Sequence, residues 1–269
     1  MDEVLVDNGD ITLRVEVTGE GPTILCVHGW PELPRSWRHQ VAHFSERGYK
    51  VAAMNVRGYG GSSAPAEIER YTLRELAGDA AAVAAALDDE PVVLFGHDWG
   101  APIAWHTAVR HPDRVRAVAG LSVPHAPPTP LSLIDVFDQL YADRFFYMLA
   151  FQEPGRIESQ FAADTRGALK RVYFGGSGDA PANSLLGDAP RDTEFLSVLG
   201  DPPDDPSRLI AGERDVVRAM VPGVDRFADP GSGCTDFRGS TIIPGIGHWV
   251  QQEAPDAVNA ALDAFLASL

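Results

Sequence analysis

The stretch VVLFGHDWGAPIAW, from Val92 to Trp105, leaves the chain around it little freedom. Its four leading apolar residues read as a strand buried on both faces, and the small residues from Gly100 onward read as a helix. Only Gly96 to Gly100 are available to turn one into the other. Glycine on both sides lets the two backbones approach closely, and the residue between them, Asp98, is presented at the end of the strand. A strand feeding straight into a helix in this way belongs to a parallel α/β sheet.

The rest of the chain agrees. ITLRVEV alternates like a half-exposed strand, whereas TILCVH, VAAMN and RAVAGLSV read as further sheet strands. LRELAGDAAAVAAAL and APIAWHTAVR are alanine-rich and helical. Near Pro124 the alternation breaks, and as far as GDPPDDP the chain is helical, polar and rich in Pro and Gly. It resumes with strands expected at SRLIAGERD and STIIPGIGH, and ends in a helix from Pro255. The expected organisation is therefore a core of residues 1–122 and 207–269 carrying an inserted helical cap at 123–206. At 269 residues one core with one insertion is a reasonable size.

Composition excludes some functions. A formal charge of −16 leaves no basic face for nucleic acid or an anionic membrane. MDEVLVDNGD lacks a signal pattern, and no apolar run approaches the ~20 residues needed to span a bilayer. Cys26 and Cys234 have no metal-type spacing and read as free thiols in a reducing cytoplasm. Oligomeric state is not legible.

Ligands of open α/β sheets bind at the C-terminal ends of the strands. Three polar residues fall there: Asp98, then Asp215 after RLIAG, then His248 after the Gly-X-Gly turn of IIPGIGHW. Each alone has an ordinary structural explanation, as a helix cap, a turn acid or a surface histidine. Together they follow the chain order nucleophile, acid, histidine of a catalytic triad. Upstream, VHGWP follows the third strand, where an oxyanion-hole amide is expected from Trp30, with a second from Trp99. His28 reads as a loop-holding residue.

An aspartate nucleophile changes the chemistry. A carboxylate is already ionised at neutral pH and can attack an sp³ carbon directly, forming an alkyl ester. A histidine then activates water to hydrolyse that ester. The bond cut is C–O or C–halogen.

The words HGWPELPRSWRHQ, RGYGGSS, GHDWGAPIAW, FQEPG, IAGERD and GHWVQQEAPDAVN are spread over nearly the whole core. In that combination the chain resembles an epoxide hydrolase of the α/β-hydrolase fold. The resemblance implies a mostly parallel central sheet with helices on both faces and an inserted helical cap. It implies Asp98 as nucleophile, His248 and Asp215 as the water-activating pair, and Trp30 and Trp99 at the oxyanion hole. The substrates would be a small epoxide and water. Such enzymes protonate the departing alkoxide with two lid tyrosines. The first corresponds to Tyr147 in RFFYMLAFQEPG, with Pro31, Met148, Phe151 and Trp249 expected to line the pocket. No tyrosine follows Tyr173, so the second is missing from its usual place, and the lid looks shortened near Asp201–Ser207. Tyr141 and Tyr173 are substitutes elsewhere in the chain. A haloalkane dehalogenase, whose halide needs no acid, is the alternative, as is a scaffold that binds ligand without turnover.

Overall fold

β3 (Thr23–Val27) and β5 (Val92–His97) are buried along their whole length, as unbroken apolar runs inside a parallel sheet should be. The structure, a computed structural model, describes residues 1–127, 130–181, 189–202 and 228–269. The remaining strands are β1 (Asp2–Asn8), β2 (Ile11–Thr18), β4 (Lys50–Met54) and β6 (Val115–Leu121). They form one six-stranded sheet in the order β1-β2-β4-β3-β5-β6. β1 and β2 make an antiparallel hairpin closed by Gly9 at φ 67°, and β2 pairs antiparallel with β4. From β4 through β3 and β5 to β6 every pairing is parallel. All four of those parallel strands therefore end on one edge, and the loops there include 28–33 and 98–99.

By its contacts the chain divides into two units. The first comprises residues 1–125, 234–241 and 254–269. Here α2 (Leu73–Leu87) and α3 (Gly100–Arg110) pack against the sheet through Ala80, Val83, Ala84, Ile103 and Ala104, in one core with Leu13, Val15, Leu25, Val27, Met54 and Leu94. Alanines on the inward faces bring the helix axes close to the strands. Each fully buried Leu or Val contributes about 1.5–3 kcal/mol. Thr72 caps α2 by accepting the Glu75 N–H at 3.4 Å.

Polar residues tie this core together at its rim. The Arg57 guanidinium holds Asp79 by two bonds of 2.8 and 2.7 Å, both side chains being buried, and Asn8 donates to the same carboxylate. That cluster joins the hairpin, α2 and the loop after β4. The C-terminal helix, Pro255–Ala267, is fastened to α1 (Arg38–Ser45) by Gln40–Asn259 at 3.0 Å and His43–Asp263 at 2.8 Å.

The second unit comprises residues 126–233 and 242–253. Its described helices are α4 (Leu133–Leu140), α5 (Tyr147–Ala150), α6 (Arg156–Ala163), α7 (Thr165–Gly176), α8 (Phe195–Val198) and α9 (Val250–Glu253). Among the described residues its β pairing is a single bridge, Arg144 to Pro190. Aromatic rings fill the interior, with Phe195 fully buried between Phe145, Tyr147, Phe151 and Phe161 at centroid distances of 5.5–6.4 Å. Phe146 is packed between Phe137 and Tyr141.

One expected strand does not form. Residues 240–243 of STIIPGIGH are irregular, and Ile242 is 53% exposed. The preference of isoleucine for strands is a preference for a paired, half-buried surface, and no described strand pairs with this segment. The strand expected at SRLIAG lies outside the described residues. Among the described residues no helix is long and apolar enough to cross a membrane.

Candidate active site

Asp98 stands between β5 and α3 at φ 51°, in the left-handed region that a non-glycine residue seldom adopts. The neighbouring glycines make this turn possible. A Cβ on Gly96 would lie 2.4 Å from the Gly100 carbonyl oxygen, and one on Gly100 would lie 2.0 Å from that of Val27. Strand, turn and helix are thus packed closer than any side chain allows. Behind Asp98, α3 begins at Gly100, and a carboxylate at the start of an eleven-residue helix is favoured by the helix dipole.

The loop after β3 closes over the same carboxylate. The backbone N–H of Trp30 donates to Asp98 Oδ1 at 2.7 Å. Gly29 lets the loop come this near, since a Cβ there would lie 2.2 Å from Oδ1 and 2.7 Å from Cγ. The loop turns through a cis Trp30–Pro31 peptide, with the Glu32 N–H bonded to the Gly29 carbonyl at 3.0 Å. Pro31 and Trp30 are half-buried, while Trp99, next to Asp98 in the chain, is 47% exposed.

Two buried histidines hold this arrangement. His28 Nδ1–H donates to the Gly29 carbonyl at 2.9 Å, and Nε2 accepts the Val56 N–H at 3.2 Å. Both bonds require the neutral Nδ1–H tautomer, and burial holds the imidazole pKa below its ordinary value. His28 is accordingly a structural residue, as its place in the loop suggested. His97 Nδ1 lies 2.8 Å from Glu32 Oε2, with both side chains fully buried. This pair fastens the HGWP loop to the residue next to Asp98. Sequence reasoning passed over Glu32 and His97, although they flank the two motifs that it singled out. Tyr59 completes the wall with an edge contact to His28 at 5.1 Å, its hydroxyl pKa raised by burial and then by the charge of Asp98.

The other unit carries the remaining residues. Tyr147 opens α5, half-buried, its ring 5.6 Å from Phe151 and 6.4 Å from Phe195. Met148 and Phe151 are half-buried on the same short helix and its cap. His248 is 6% exposed, its N–H bonded to the Gly176 carbonyl at 2.8 Å and its ring 4.9 Å from Trp249. Trp249, expected to line the pocket, is 3% exposed; its indole N–H donates to the Tyr173 carbonyl at 2.7 Å. Tyr173 packs on that indole at 4.8 Å. Tyr141 is stacked on Phe146 at 4.4 Å, and burial raises its hydroxyl pKa. Asp215 lies outside the described residues.

Comparison with known proteins identifies the family. Residues 22–183 match the family model of the alpha/beta hydrolase fold. Epoxide hydrolase A of Mycobacterium tuberculosis is 34% identical over 99% of this chain and 98% of its own length. An epoxide hydrolase of Caballeronia sordidicola is 30% identical over 97% of this chain and 92% of its own. The crystal structure of epoxide hydrolase A from Mycobacterium thermoresistibile superimposes with a TM-score of 0.87 at 33% identity, covering 99% of this chain and 98% of that one. The Mycobacterium tuberculosis alignment runs over 321 positions against 269 residues here, so part of that relative stands opposite no residue of this chain. With its mostly parallel sheet, its aspartate elbow and relatives matched along nearly their whole length, the chain belongs to the epoxide hydrolases of the α/β-hydrolase fold.

Proposed function

We propose that this protein converts an epoxide to a vicinal diol through an alkyl ester on Asp98. The observation that carries the assignment is the Trp30 N–H on Asp98 Oδ1, made at the head of α3. With Oδ1 engaged, Oδ2 is the oxygen assigned to attack. It bonds to one oxirane carbon, the ring C–O bond breaks, and the electron pair passes to the ring oxygen. Tyr147 is assigned to give that oxygen its proton, since a phenol keeps one available up to about pH 10.

In the second step His248 takes a proton from water, and the hydroxide oxygen bonds to Cγ of Asp98. Negative charge develops on Oδ1, where the Trp30 N–H already lies and where the Trp99 N–H is assigned as second donor. Such a donor lowers the barrier by roughly 3 kcal/mol. Collapse breaks the Cγ–Oδ2 bond, the departing alkoxide takes the proton from the imidazolium, and the proton left on the new Asp98 carboxyl returns through solvent to the Tyr147 phenolate, restoring both groups. Asp215, by chain order, is the acid assigned to orient and stabilise that imidazolium. No metal or organic cofactor enters either step. Pro31, Met148 and Phe151 are assigned to the pocket, and the sequence words that flank residues 201–207 support a lid shortened there.

Intact-mass spectrometry of His248→Gln after exposure to styrene oxide tests the scheme. The expected result is a protein heavier by one substrate mass, with the adduct mapped to Asp98. An adduct from 1-bromobutane with none from the epoxide would instead assign dehalogenation. No adduct from either would end the ester mechanism.

A further inference from the structure

We infer that Glu253 is a positioning residue for His248, gripping the chain on both sides of it. Its Oε1 accepts the Trp249 N–H at 3.1 Å, and its Oε2 accepts the Gly247 N–H at 3.2 Å. These are the residues immediately after and before His248. Oε2 also accepts the Gly178 N–H at 3.0 Å, just beyond α7. One carboxylate thus ties the histidine loop to itself and to the end of a helix, all within one compact unit.

The surroundings make this a tight seat. The His248 N–H bonds the Gly176 carbonyl at 2.8 Å, and the Trp249 indole N–H bonds the Tyr173 carbonyl. A Cβ on Gly247 would lie 2.3 Å from the Gly178 nitrogen, and one on Gly176 would lie 2.9 Å from the Trp249 ring. The loop therefore rests on α7 with no room to rise or slide, and Glu253 supplies three of the five bonds named here.

A base that must meet a water along one direction gains from such a seat, because a displacement of about 1 Å can cost on the order of a hundredfold in rate. A carboxylate is better suited than an amide, since both oxygens accept and neither donates. Its negative charge also favours the imidazolium formed when water is deprotonated. Burial lifts the Glu253 carboxyl pKa above its ordinary range, while the three N–H donors and the charge of His248 pull it back down.

The inference rests on the Asp98 ester and the role of His248, and half-reaction kinetics separate the two. Full-length Glu253→Gln is mixed with excess styrene oxide, quenched at intervals and followed by intact mass, then freed of substrate while the ester decays. Ester formation is expected within twofold of the unmutated protein, with decay slower by about ten- to a hundredfold and kcat and KM falling together. Decay at the unmutated rate would overturn the inference. So would equal slowing of both half-reactions with KM unchanged, which marks a merely structural role. Should Glu253→Gln fail to fold, Glu253→Asp keeps the charge on a shorter arm and is expected to slow decay to a smaller degree; decay at the unmutated rate would overturn the inference equally. Absence of ester in His248→Gln would overturn the ester mechanism, and this inference with it.

Discussion

The Trp30 amide lies 2.7 Å from Asp98 Oδ1, so the two oxygens of this carboxylate are not equivalent before any substrate arrives. One accepts a backbone donor, and the proposed mechanism assigns the other to attack. The contact depends on Gly29, whose Cα sits against the carboxylate. Gly29→Ala should push the Trp30 N–H away from Oδ1 and lower kcat by about a hundredfold, the loss typical of one oxyanion donor. Steady-state diol formation measures this, with circular dichroism to establish an unchanged fold. Activity within twofold of the unmutated protein would show that the Trp30 donor is not used.

The Glu32–His97 pair predicts a stability effect distinct from catalysis. Both side chains are fully buried, and each is the other's partner at 2.8 Å. Removing one takes a close hydrogen-bond partner from a buried polar group, which costs about 1–3 kcal/mol. Glu32→Ala should therefore lower the thermal midpoint by several degrees, and Glu32→Gln, which still offers an oxygen acceptor, by less. Equal melting of Glu32→Ala and the unmutated protein would remove the pair from the account of how the loop is held.

Legibility differed between residues for physical reasons. β3, β5, α2 and α3 could be read because each carries its period in its own residues, and Asp98 because glycines at 96 and 100 declare the turn. The 240–243 segment was misread because propensity says nothing about whether a partner strand is available. Glu32 and Glu253 were passed over for another reason. An acidic residue in a loop or a short helix looks solvated, and only the fold shows that its acceptors face His97 or three backbone amides. Phe195 likewise gives no sign in FLSV that four rings converge on it.

That convergence predicts how Tyr147 is held. Phe195 is fully buried against Tyr147 and Phe151, so Phe195→Ala should cost about 3–5 kcal/mol, the usual range for deleting a buried phenyl ring. Epoxide-dependent ester formation should slow with it, because α5 loses its support. Phe195→Leu, filling much of the space, should recover most of both. In Tyr147→Phe stability should hold while ester formation slows, which separates the acid from its support. Urea unfolding and the ester-formation rate in each variant check this. An undiminished rate in Tyr147→Phe would move the acid role to another residue.

Acid should loosen the HGWP loop through His28. Its Nε2 accepts the Val56 N–H, so a proton there breaks that bond and charges a buried ring. Burial places the folded-state pKa below the ordinary 6.5, with Glu32 and Asp98 pulling it partly back. The folded protein then binds this proton less readily than the unfolded chain does. Stability from His28 is fully present above about pH 6.5 and is lost as pH falls through that value toward the depressed folded-state pKa. His28→Gln carries no titrating group. It should be less stable than the unmutated protein at pH 7.5, and the gap should narrow on acidification. Thermal melts of both proteins between pH 7.5 and 5 measure the gap, and a constant difference across that range would rule out the titration of His28 as its source.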